Sequence, residues 1–204
     1  MLDPARRRFV GRREIGDAVA KRTATGAVLL SGPPLGARID GTAARLERLG
    51  PARLLRVAPD GHVDEIRLPI TAGSTSSRTY NRWPAFAVDR AGRYAYAIGE
   101  GEGCARVDIR TLRLVWHRLP HAFDAQPRLA SAPERHMGTA NPSRDIRREA
   151  VWLDGGKIAV TGDDTWTSNG FDRAAPAGLK ILDVRRWTVR TVDPHVSTLR
   201  GRRP

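Results

Sequence analysis

Apolar and polar positions alternate in short runs along most of the chain, and the clearest runs lie between Pro84 and Leu119. Residues 85–88, 94–98, 104–109 and 112–119 each carry small, β-branched or aromatic residues in stretches too short for a helix. Asp89 to Gly92, the glycine run 99–103 and Asp108 to Thr111 punctuate them with turn-forming residues. This pattern predicts a four-stranded antiparallel meander over residues 84–119.

Comparable patterns recur on either side. Residues 16–69 contain a weak strand at 17–21, then strands at 26–31, 53–57 and 62–68, with Pro59 to Gly61 as the last turn. Residues 149–193 give strands at 149–153, 157–161, 178–182 and 187–192, turning at Asp154 to Gly156. The first 15 residues read as the end of another unit: Leu2-Asp3 aligns with Val107-Asp108 and with Leu182-Asp183, each followed by a turn and an alternating strand. Ala85 aligns with Ala150 and Val107 with Leu182, so the offset grows from 65 to 75 residues; an insertion is expected around residues 166–175. Three longer stretches read as loops: 32–51, in which 43–49 allow a turn or two of helix; 70–83, rich in Ser, Thr and Arg; and 120–148, with four prolines.

The run from Tyr94 to Val115 (YAYAIGEGEGCARVDIRTLRLV) resembles a blade of the bacterial YVTN/WD40-like β-propeller repeat proteins, and residues 149–194 resemble a second blade. No Trp-Asp dipeptide closes a strand, so the eukaryotic WD40 subtype is the poorer match. The resemblance implies an all-β fold: an incomplete β-propeller of four-stranded antiparallel blades about a common axis, in one domain spanning 1–204. Its parts would be a blade tail (1–15) and blades at 16–69, 84–119 and 149–193. Propellers close rings of roughly 4–8 blades, so three blades and a tail suggest a chain truncated at both ends, or one that completes its ring with another copy.

Composition constrains partners only loosely. The net charge of +13 invites a polyanion, yet just three of the 35 basic residues are lysine, and the arginines are spread along the chain. That skew, with abundant Ala, Gly and Pro, is what a GC-rich coding sequence produces, so nucleic acid is disfavoured as a partner despite the basic charge. The single cysteine, Cys104, excludes an internal disulfide and sits where a strand would bury it. No run of about 20 apolar residues exists to span a membrane. The N-terminus lacks a signal-peptide core, which places the chain in the cytoplasm if complete; a missing leader would mean export.

Motifs for chemistry are sparse. His117 and His121 have a zinc-like spacing without companion cysteines. Asp163 to Asp172 is rich in oxygen donors but lacks the acid spacing of a calcium loop. The acids in Gly99-Glu-Gly-Glu-Gly103 would repel phosphate, and neither a Gly-x-Ser-x-Gly nor a His-Glu-x-x-His motif occurs. No catalytic residue, metal ligand or cofactor is assigned. In an up-and-down blade the tight turns fall on one face and the long connections on the other. The second face is therefore the expected binding surface, displaying Tyr80, Arg82, Trp83, His136, Asn141, Arg147, Asp163, Asp164, Trp166 and Phe171. The expected function is a non-catalytic binding or scaffold module for a protein or small ligand. Two alternatives are a hydrolase-like propeller enzyme using Asp163, Asp164 and His136 at a central channel, and an electrostatic binder of polyanions.

Overall fold

The computed structural model describes residues 2–3, 8–9, 18–23, 26–31, 36–40, 43–47, 50–74, 80–125, 144–168 and 171–197. Among them there is no helix, and hence none long and apolar enough to cross a membrane. The chain is all-β, with antiparallel and mixed sheets.

The middle meander forms where its alternation places it. Strands β10 (Ala85–Val88), β11 (Tyr94–Gly99), β12 (Gly103–Asp108) and β13 (Leu114–Arg118) make a four-stranded antiparallel sheet in that order. Its turns are fixed by aspartates acting on main-chain donors. Asp89 Oδ1 accepts from the amides of Arg93 and Tyr94, and Asp108 Oδ1 from those of Arg110 and Thr111.

A second meander, β3 (Ala18–Thr23), β4 (Gly26–Ser31), β7 (Gly50–Val57) and β8 (Val63–Ser74), precedes it. A third follows: β14 (Arg144–Leu153), β15 (Lys157–Ser168), β17 (Leu179–Asp183) and β18 (Thr188–Asp193). The last turn of the third sheet repeats that of the middle sheet. Asp183 Oδ1 takes the amides of Arg185 and Arg186, and Leu112 and Trp187 both adopt a left-handed φ of 56°. Hairpin register also coincides: Val107 opposes Leu114, Leu182 opposes Val189, and in the short hairpin of β1 (Leu2–Asp3) and β2 (Arg8–Phe9), Leu2 opposes Phe9.

Alternation decides the packing. Phe86, Ala95, Ala97, Ala105 and Val107 of the middle sheet pack on Val28, Leu30, Leu54, Leu68 and Ile70 of the first sheet. The opposite parity, Ala85, Ala87, Tyr96, Ile98 and Cys104, packs on Ala150, Ile158, Val160 and Leu182 of the third. Small residues on both sides let the sheets approach at the usual face-to-face spacing. Cys104 is fully buried, and burial pushes its thiol pKa upward, as suits a core residue.

Strands extend where loops were expected. In residues 70–83, β8 continues to Ser74 and β9 (Tyr80–Trp83) adds a further strand. The insertion near 166–175 is a hairpin, formed by the end of β15 and β16 (Phe171–Pro176). Residues 43–47 are not helical: β5 (Gly36–Asp40) pairs with β6 (Ala43–Glu47), because one or two helical turns cannot repay the cost of helix nucleation while a hairpin partner lies two residues away. In the stretch read as a loop from 120 to 148, β14 begins at Arg144, and residues 126–143 lie outside the described residues. Independent blades were expected, yet hydrogen bonds join the first and third sheets. β9 pairs antiparallel with the end of β8 and parallel with the start of β14, because β8 and β14 overrun their meanders on the same side and β9 lies between them.

Candidate functional site

Eight of the ten residues expected on the loop-bearing face have their backbone in one patch formed by β9, β14, β15 and β16. Register places Trp83, Arg147 and Asp163 in one row, Arg82, Ile146 and Asp164 in the next, and Tyr80, Arg144, Trp166 and Arg173 in another. Phe171 opposes Ser168 at the hairpin tip. For Tyr80, Trp166 and Phe171 only the backbone is described, and His136 and Asn141 lie outside the described residues.

Within this patch, burial follows strand parity. On β14, Ile146, Arg148 and Ala150 point inward and Arg147 and Glu149 outward. Arg147, 64% exposed, holds Asp145 at 2.6 Å; that hydrogen-bonded carboxylate raises its pKa. Arg148, with its side chain only 1% exposed, is the charged centre. Its Nε donates to the carbonyl of Phe123 at 2.8 Å, and one terminal nitrogen donates to the carbonyls of Arg147 (2.8 Å) and Asp163 (3.0 Å). That nitrogen also lies 2.8 Å from a carboxylate oxygen of Asp164, and the other stands 3.7 Å from Glu100.

Neighbouring charges extend this cluster. Arg82 reaches Glu100 at 3.4 Å and Glu102 at 3.3 Å, and Glu102 accepts from the amide and hydroxyl of Thr71. Lys180, buried on β17, donates to the carbonyl of Asp124 at 2.6 Å, while a carboxylate oxygen of Asp124 takes the amide of Gly101. The cluster thus ties the turn 99–103 of the middle sheet and the segment after β13 to β14, β15 and β17 of the third. Burial pushes the Asp163 carboxyl pKa up, with Asp145 and Asp164 adding to the rise while Arg147 and Arg148 oppose it.

Lys180 offers a direct test. Burial, reinforced by the Arg148 guanidinium, lowers its pKa from 10.5 to about 8. The unfolded chain therefore holds more protons than the native one between those values, so this residue makes stability rise with pH across that window. Urea unfolding of Lys180→Met should show the rise flattened, and an unchanged slope would refute the assignment.

Sequence reasoning selected Arg82, Arg147, Asp163 and Asp164 but missed Arg148, Lys180, Glu100, Glu102 and Asp124. The signal for two of them was available. Extending the alternation of Ala150 and Trp152 back by one step puts Arg148 on the inward face, and extending that of Leu182 does the same for Lys180. The glycine-run acids Glu100 and Glu102 were read as part of a turn and nothing more. Their turn is indeed tight, with Gly101 at a left-handed φ of 67°, but it projects both carboxylates toward arginines of other strands. Among the described residues, no three His, Cys, Asp or Glu side chains are grouped to hold a metal ion. A scan against protein-family models matches no family, and a search of the curated proteins likewise finds no match.

Proposed function

We propose that the chain is a β-propeller-type repeat module that binds a protein or small ligand on the side carrying its long connections, without chemistry of its own. The observation that carries the reading is the middle sheet. It is covered on both faces by a four-stranded meander, with odd and even positions serving different neighbours. Successive sheets stacked in this way, with β10 lying against both β3 and β14, are what a fan of blades about an axis requires. Coincident hairpin registers and paired left-handed turn residues support descent of the sheets from one repeated unit.

Asymmetry between the two ends supports binding. At one end the turns are short and held by aspartates; at the other, β8, β9, β14, β15 and β16 overrun the meanders and present Arg147 and Asp163 side by side. Arg148, the cation most deeply placed there, is engaged by three carbonyls and two carboxylates, which suits a brace better than a reacting group.

The test selects ligands from a random peptide library and a metabolite panel by thermal shift. Hits should lose about tenfold in affinity, or roughly 1.4 kcal/mol, on Arg147→Ala and should be recovered unchanged. Hits indifferent to Arg147→Ala would overturn the placement. Metal-dependent stabilisation with turnover would favour the enzyme reading instead. Affinity for a short DNA duplex that falls steeply with salt would favour the polyanion reading.

A further inference from the structure

The third sheet buries one face in the core it shares with the middle sheet, and among the described residues its other face is largely exposed, Ala159 and Thr161 excepted. Among the described residues, the exposed large apolar side chains are Val151 (47%), Leu153 (37%) and Val192 (47%), and all three belong to this sheet. Register arranges the open face in rows across the strands. One row is Val151, Ala159, Ile181 and Arg190; the next is Leu153, Lys157, Asp183 and Thr188. Glu149 and Thr161 stand one row further along, where the Thr161 hydroxyl donates to the carbonyl of Val196 at 2.9 Å, so the segment after β18 closes that end. An apolar strip therefore remains, with cations and carboxylates at its margins.

We infer that this face seats a second copy of the chain, the two third sheets packing face to face about a two-fold axis parallel to their strands. Both buried sheet-to-sheet junctions already in the molecule join meanders of this same kind, so the open face is of a type that this chain covers with its like. Charge selects the operator. A two-fold along the strands keeps each row at its own level and reverses strand order, laying β14 over β18 and β15 over β17 of the second copy. Ala159 then meets Ile181 and Lys157 meets Asp183, each twice. Glu149 lies diagonally across from Arg190, and the alkyl stem of Arg190 covers Val151. An axis running across the strands along the Val151 row would instead lay each strand on its own copy and set Arg190 against Arg190. The first form is self-complementary, and it leaves the loop-bearing end free for the ligand proposed above.

The test is the mass of the full chain in solution, by sedimentation velocity and light scattering up to high micromolar concentration. The expected result is a dimer that Val151→Glu converts to monomer, with circular dichroism showing that the variant remains folded. Glu149→Arg should weaken association about tenfold, and adding Arg190→Glu should restore it, since coupled charge pairs show such non-additivity. A monomer at every concentration would overturn the proposal. So would a dimer indifferent to Val151→Glu, or one that the exchange of Glu149 and Arg190 fails to rescue.

Discussion

Replacing Arg148 with methionine is expected to destabilise the fold by about 3–5 kcal/mol in urea unfolding at neutral pH, a large share of a typical domain's stability. The side chain is 1% exposed and is shared by Glu100 and Asp164, both themselves buried. Methionine fills most of the volume but removes the cation those carboxylates face and the donor to the carbonyls of Phe123, Arg147 and Asp163. Arg148→Lys should fall between, since one ammonium group cannot span carbonyls that Arg148 reaches through two different nitrogens. A loss below about 1 kcal/mol for the methionine variant would show that the cluster is not a brace.

That result bears on how the molecule is assembled. Apolar contact between alternating faces brings the sheets together, but it is non-directional and does not fix their rotation. The Arg148 cluster does so at one end, by linking main-chain carbonyls of the segment after β13 to strands of the third sheet. At the other end Arg56 plays a related part. It pairs with Asp64 on the first sheet and donates to the carbonyls of Ile109 and Arg110 in a turn of the middle sheet. Each junction is thus pinned by an arginine bound to backbone, which lets small residues such as Ala85, Ala87, Ala97 and Ala105 fill the space between sheets.

How much of this was legible follows from what each feature depends on. The strands of the middle sheet could be read because period-2 alternation and Asp/Gly turns are local properties, and residues 85–88 and 94–98 coincide with β10 and the body of β11. Their two-sided burial could also be read, because both parities are apolar or small. The strand extensions could not. Residues 71–74 and 163–168 carry only Ala72 and Trp166 as apolar side chains, too few to make a stripe; they are strands because partner strands supply the ladder hydrogen bonds. The charge cluster was half visible. Asp163 and Asp164 drew notice as an acidic pair, whereas Arg148 looked like one arginine among many, and only its inward parity marks it. Phe123 gave no signal at all, since it stands in a short turn segment with no period.

Phe123 accordingly provides the second large effect. Phe123→Ala should cost about 3–5 kcal/mol, the range for removing a buried aromatic ring from a core that cannot collapse around the cavity. The ring is 1% exposed and belongs to the core between the middle and third sheets, although residues 120–123 form no strand. Its neighbours there, among them Ile98, Cys104, Ile158 and Leu182, are set by ladder registers on both sides and have little freedom to move inward. Phe123→Leu should cost much less, about 1 kcal/mol, because most of the volume is kept. The carbonyl of the same residue accepts from Arg148, so the two sites are coupled. The double variant Phe123→Ala/Arg148→Met should be less destabilised than the sum of the singles, by about 0.5–3 kcal/mol. Strict additivity would mean that the segment and the cation stabilise the junction independently. A single-variant loss below about 1 kcal/mol would mean that the ring is not a wedge between the sheets, and that the 120–125 segment merely rests on a core complete without it.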